Sequence, residues 1–309
     1  MANITAAAIK ELREKTNVGM MECKKALTEA DGDMEKAIVI LRERGMAVAA
    51  KKAGRIAAEG LVWPMIAPDG TAVIIEVNCE TDFAAKSDNF SNFVKGLANI
   101  VAEKNPADVD ALMELEYAEG TTVAAELLAK VQTIGENIKI RRFFRFAPEA
   151  GVVSIMYNHH LAGKIGVLVR LAVSEGLENN ETVLAFGKNV CMNVAAYNPE
   201  YLDRDAVPAE RLEAEKEILK AQVVNEGKPE KIAEKIVAGR LGKFYEQVCC
   251  VDQGYILDMT KSVNQVCAET AKEVGGSIKV VGFLRVECGE GLEKKVDDFA
   301  EEVARMSGK

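Results

Sequence analysis

Asn78-Cys79-Glu80-Thr81-Asp82-Phe83 leaves one kind of secondary structure and enters another. Before it, Thr71-Ala72-Val73-Ile74-Ile75-Glu76-Val77 is rich in the β-branched residues that pack on a pleated surface, which predicts a strand. After it, Phe90, Phe93, Val94, Leu97, Ile100 and Val101 recur at helical spacing, with Ser87 as N-cap. The connection is therefore short and anchored at both ends, and it carries Asp82 and Phe83. A phenylalanine outside the pattern of either neighbour has two readings: it tucks back under the hairpin, or it points outward at something. The local sequence leaves both open.

Working outward, 61–67, a Pro68-Asp69-Gly70 turn and 71–79 make a β-hairpin. Helices are expected over 107–115 and 122–134, and a strand over 138–146 whose Arg141, Arg142 and Arg145 face solvent or a partner. The next stretch repeats that outline. Strands over 152–157 and 164–173 flank a loop bearing His159, His160 and Gly163, and a helix over 181–196 presents Val183, Phe186, Val190 and Val194 on one face. Hairpin then amphipathic helix, twice, predicts an α+β fold with a duplicated antiparallel-sheet-plus-helix core. Two charged helical runs, 208–226 and 229–248, have thin apolar stripes, as expected of an inserted antiparallel helical hairpin that buries mainly against its own partner arm. A strand at 255–259, a helix at 260–274 and a strand at 278–286 return to the core. A last helix, 292–306, shows Val296, Phe299, Ala300 and Val303 on its apolar face.

At the other end, residues 1–45 read as three short helices. Thr5 caps the first, Thr16-Asn17-Val18-Gly19 breaks it, Asp31-Gly32-Asp33 separates the second from the third, and the third stops at Gly45. Met20 and Met21 stand beside a tight turn, where methionine serves equally as gap-filling core or as an adaptable binding surface. The resulting organisation is a three-helix domain (1–45), a basic linker (46–59), a first core subdomain (60–150), a second (151–290) with the helical hairpin inserted at 206–250, and a C-terminal helical module (291–309).

Composition removes several function classes. The net charge is −9 and the pI about 5.1 over 309 residues. That balance argues against direct nucleic-acid binding, which rests on clustered lysine and arginine, and favours a protein partner or a small ligand. No apolar run is long enough to span a bilayer and the N-terminus lacks a signal-like segment, so a cytoplasmic location is expected. Seven cysteines without a CxxC pair read as reduced, buried thiols, and only two histidines exist, adjacent at 159 and 160. There is no GxxxxGK[ST], no GxGxxG after a strand and no HExxH. Neither a catalytic residue, a metal site nor a cofactor is expected.

Several segments, in order, resemble the elongation factor Ts family: Ile4-Thr5 with Lys10-Glu11-Leu12-Arg13; Gly19 to Leu27; Ala50-Lys51-Lys52-Ala53-Gly54; Glu76 to Phe83; Gly135-Glu136-Asn137-Ile138; Lys164 to Val169; and Gly227-Lys228-Pro229 with 232–237 and Gly239-Arg240. The resemblance implies a non-enzymatic guanine-nucleotide exchange factor for elongation factor Tu, with an N-terminal domain of the ubiquitin-associated type. It implies that Thr81, Asp82, Phe83 and Ala84 enter the partner and disturb its magnesium and phosphate site. It also implies that Leu12, Met20 and Met21 face the partner's nucleotide domain, and that His159, two residues after Tyr157, lies near the contact. Whether the complex contains one copy of each chain or two, as through a homodimer, stays open. Ala84 stands where the family usually has valine, which is expected to leave a smaller apolar contact beside Phe83. Gln253-Gly254-Tyr255 stands where a glutamine-proline-phenylalanine run is common.

Overall fold

The computed structural model describes residues 4–16, 18–159, 163–227 and 230–293, the side chains of 230–233 excepted. Asn17, His160, Lys228-Pro229 and, from 294 onward, the expected C-terminal helix lie outside these residues.

Three helices open the chain: α1 (Ala6–Thr16), α2 (Met20–Glu29) and α3 (Met34–Lys52). They close over Leu12, Cys23, Ala26, Leu27, Ala37 and Leu41, all buried. Asp33 caps α3 by accepting from the Lys36 amide at 3.1 Å. The third helix does not stop at Gly45 but continues to Lys52, so the first half of the segment expected as a basic linker, 46–52, is its last turns. Glycine disfavours a helix by about 1 kcal/mol, but here its missing side chain allows a tertiary approach. A Cβ at Gly45 would lie 2.5 Å from the Gln132 amide nitrogen, which donates to Leu41 O at 3.1 Å.

The first sheet begins with β1 (Glu59–Ile66) and β2 (Ala72–Cys79), antiparallel with Leu61 opposite Val77. Then come α4 (Asp82–Ala85), α5 (Asp88–Lys104), α6 (Val109–Glu114), the short β3 (Glu116–Ala118) and β4 (Thr121–Thr122), α7 (Val123–Ile134) and β5 (Lys139–Phe146), which returns beside β2. The second sheet begins with β6 (Val152–His159) and β7 (Ile165–Val173). After α8 (Glu181–Tyr197), the arms α9 (Ala209–Asn225) and α10 (Glu230–Val248), β8 (Gly254–Tyr255), β9 (Asp258–Ser262) and α11 (Val263–Glu273), the strand β10 (Ile278–Glu287) returns beside β7. The orders β1-β2-β5 and β6-β7-β10 are thus one connectivity used twice. α5 covers the first sheet with Phe90, Phe93, Val94, Leu97 and Val101; α8 covers the second with Val183, Phe186, Val190 and Val194. The opposite faces meet through Val62, Ile74, Leu168 and Val286.

Arg141 and Arg142, expected at the surface, turn inward onto a buried carboxylate. Glu76, fully buried, accepts from Arg141 Nη1 at 2.8 Å, Arg142 Nε at 2.7 Å and the Gly289 amide at 2.7 Å. An ionised group at that depth needs such partners, and the period-2 pattern of β5 carries no sign of the charge waiting on β2. Arg145 donates to Ala102 O at 3.1 Å. Among the described side chains, the outer parts of α9 and α10 bury Leu219, Val223 and Val237, and the base of the arms buries Val207 with Phe244 and Val248 of α10 and Cys249.

Candidate functional site

Thr81 leaves β2 in an extended conformation and caps α4, its hydroxyl accepting from the Ala84 amide at 3.2 Å. Ser87 ends the turn: its hydroxyl donates to Ala84 O at 2.7 Å and accepts from the Phe90 amide at 3.3 Å, starting α5. One helical turn aims its side chains in different directions. Ala84 and Ala85 point inward to the first core, while Phe83 is 82% exposed. Of the two readings of Phe83, the free chain adopts the outward one. Ala84, expected at the partner contact, is a core residue instead. Its side chain packs in the first core beneath the turn.

A single helical turn has little stability of its own; a residue far along the chain supplies it. The Glu136 carboxylate accepts from the amides of Glu80 and Thr81, both at 3.0 Å, and from the Thr81 hydroxyl at 2.6 Å. In return Glu80 accepts from the Asn137 amide at 2.7 Å and pairs with Arg55 at 3.4 Å. The Asn137 side chain donates to Arg55 O at 2.8 Å, and Lys52 Nζ donates to Gly135 O. Glu136 was visible in the sequence only as part of Gly135-Glu136-Asn137-Ile138. The signal that could have marked it is the glycine before it, which ends α7 at φ 83° and turns the chain back toward β2.

Asp82 pairs with Lys86 at 2.6 Å. That hydrogen bond holds its carboxyl below the usual carboxylate range, and the charge of Lys164 acts in the same sense. Lys164, which pairs with Glu59, brings the β6–β7 end beside the turn. His159 is the last residue of β6 rather than a loop residue, opposite Ile165, with Nδ1 2.9 Å from Tyr157 Oη. Met20 and Met21, 44% and 67% exposed, start α2 on the three-helix unit. Leu12 does not face outward: it is fully buried against α2 and α3, because so small a unit needs its few large apolar side chains for its own core.

Among the described residues no group of three or more His, Cys, Asp or Glu is arranged to hold a metal ion, and no helix is long and apolar enough to cross a membrane. The seven cysteines are buried and unpaired. Burial pushes the thiols of Cys79, Cys250 and Cys288 up to about 12, which keeps them protonated and unreactive at neutral pH.

A family model described as "Elongation factor TS" matches residues 80–290, more than half of the chain. Elongation factor Ts of Syntrophotalea carbinolica is 48% identical over 307 residues, 98% of this chain and 99% of that one. That of Clostridium perfringens is 48% identical over 308 residues, covering 99% and 100%, and that of Clostridium kluyveri 49% over 306, covering 98% of each. With identity near one residue in two along almost the whole of both chains, the chain belongs to the elongation factor Ts family of translation elongation factors.

Proposed function

We propose that the chain is a guanine-nucleotide exchange factor that binds elongation factor Tu carrying GDP and promotes GDP release by disturbing the magnesium and phosphate site. Such a factor makes and breaks no covalent bond; it binds the nucleotide-free GTPase better than the GDP-bound one, and linkage makes the weakening mutual. The observation that carries this reading is Phe83, an aromatic side chain left 82% exposed on a turn that hydrogen bonds hold on both sides. Burying it in a partner pocket contributes roughly 1.5–3 kcal/mol. Asp82, held as a carboxylate, repels the phosphates and competes for the oxygen shell of magnesium. Thr81 fixes the turn, and Ala84 supports it from below. Met20 and Met21 offer adaptable apolar contacts to the same partner, and His159 lies at the hairpin end beside the turn. Leu12 contributes by holding α1.

The test is the release rate of a fluorescent GDP analogue from elongation factor Tu in magnesium buffer. Substoichiometric amounts of this protein should accelerate release strongly. Binding without acceleration would replace exchange by a scaffolding role.

A further inference from the structure

We infer that Glu136 is the positioning residue of the exchange turn, and that through it the seating of α3 on α7 and the pose of Phe83 are set together; this rests on the function proposed above for Phe83. Glu136 is the one side chain whose carboxylate accepts the amides of Glu80 and Thr81 and the Thr81 hydroxyl at once. Those donors are the last groups before α4, so they set the direction in which the turn leaves the sheet. Ionised acceptors make the shorter and stronger hydrogen bonds, and the fork engages both oxygens, which fixes an angle as well as a distance. The reciprocal bond from the Asn137 amide to Glu80 closes the node from the other side.

The node reaches further. Asn137 binds Arg55 O, and Lys52 at the end of α3 binds Gly135 O, the residue that precedes Glu136. Gln132, on the last turn of α7, binds Leu41 O in the middle of α3. A displacement of α3 therefore moves the carboxylate on which the turn hangs.

The experiment is a double-mutant cycle on GDP release from elongation factor Tu, with Glu136→Ala, Phe83→Ala and the pair in the full-length chain. Glu136→Ala should lower the maximal release rate roughly tenfold or more, with the half-saturating concentration changed less than about threefold. In the Phe83→Ala background it should lower the rate no further. Additive losses would show that Glu136 acts on folding or on another contact, and would overturn the inference. Glu136→Gln, which keeps one acceptor and the length, should recover most of the rate; Glu136→Asp, one methylene short of the Glu80 and Thr81 amides, is the second variant if Glu136→Ala unfolds and should be slow in the same way. A Glu136→Gln protein that folds and melts normally but stays as slow as Glu136→Ala would also overturn the inference. If Phe83→Ala releases GDP at the full rate, the function assigned to Phe83 fails first, and a slow Glu136→Ala protein then overturns the inference as well.

Discussion

The two halves of the core meet the same problem at the same place and answer it in opposite ways. Each must join a central strand to the helix that covers it, β2 to α5 and β7 to α8. In the second half the connection folds inward: Gly176 turns the chain at φ 84°, Ser174 accepts from the Ser277 amide at 2.8 Å, and Leu177 packs on the core beside Gly276. In the first half the connection is a helical turn whose alanines go in and whose phenylalanine goes out. The apolar residue of a strand-to-helix loop closes over its core by default, since that removes it from water. Exposure of Phe83 is the costly choice, maintained by Thr81, Ser87 and Glu136. The difference separates a connection that buries its apolar residue from one that leaves an aromatic side chain in solvent, where the contact proposed above would take it.

The largest expected effect comes from unlocking the halves from one another. Glu76→Ala takes the buried carboxylate from Arg141 and Arg142, leaving them their contacts with Glu287 and Glu290, and frees the Gly289 amide; it should cost about 3 kcal/mol in denaturant unfolding, near the low end for a broken buried pair because both arginines keep those partners and reach solvent in part. Burial pushes the Glu76 carboxyl up, but the Gly289 amide and the two arginines more than offset this, so its net shift is downward. The stability it contributes is therefore fully present above the ordinary glutamate range, near 4.3, and is lost as pH falls through the lower folded value. Glu76→Gln should flatten the acid limb of the stability curve; an unchanged limb would assign acid unfolding to other carboxylates.

Next, exchanging the roles of the two apolar loop residues sharpens the contrast. Phe83→Ala should slow GDP release by roughly ten- to a hundredfold, as the lost burial in the partner implies, while melting shifts by less than about 0.5 kcal/mol. Leu177→Ala should do the reverse, costing about 1–2 kcal/mol for a half-buried side chain with release unchanged. Equal effects of the two on release would dissolve the comparison.

The smallest effect separates the caps. Asn180 caps α8 by accepting from the amides of Thr182 and Val183 at 3.0 and 3.2 Å, so Asn180→Ala should cost about 1 kcal/mol of stability alone. Thr81→Ala should cost a similar amount and also slow exchange, because the hydroxyl serves Glu136 as well as Ala84. Paired melting and release measurements on the two variants check this.

Much of the architecture was legible because hydrophobic period carries it. The apolar faces of α5 and α8, the thin stripes of the helical arms and the hairpin at Pro68-Asp69-Gly70 all follow from spacing and turn chemistry within a dozen residues. Where a distant residue decides, local pattern points the wrong way. Gly45 looked like a stop until α7 was placed against it. The arginines of β5 looked solvated because their partner, Glu76, sits on another strand. Leu12 and Ala84 matched a partner-facing pattern, yet each is held inside by its own core.

The sequence by itself determined the order of strands and helices, the repeated hairpin-and-helix outline, the position of the Thr81-Asp82-Phe83 turn and, through its motifs, the family. These rest on local propensity and period, which a chain carries whether or not it is folded. Only the tertiary structure decided that Phe83 faces outward, that Glu136 holds its turn and that Glu76 ties the end of β10 to the first sheet. Each involves a hydrogen-bond partner 55 to 213 residues away. An orphaned amide or buried carboxylate finds such a partner only once the chain has closed.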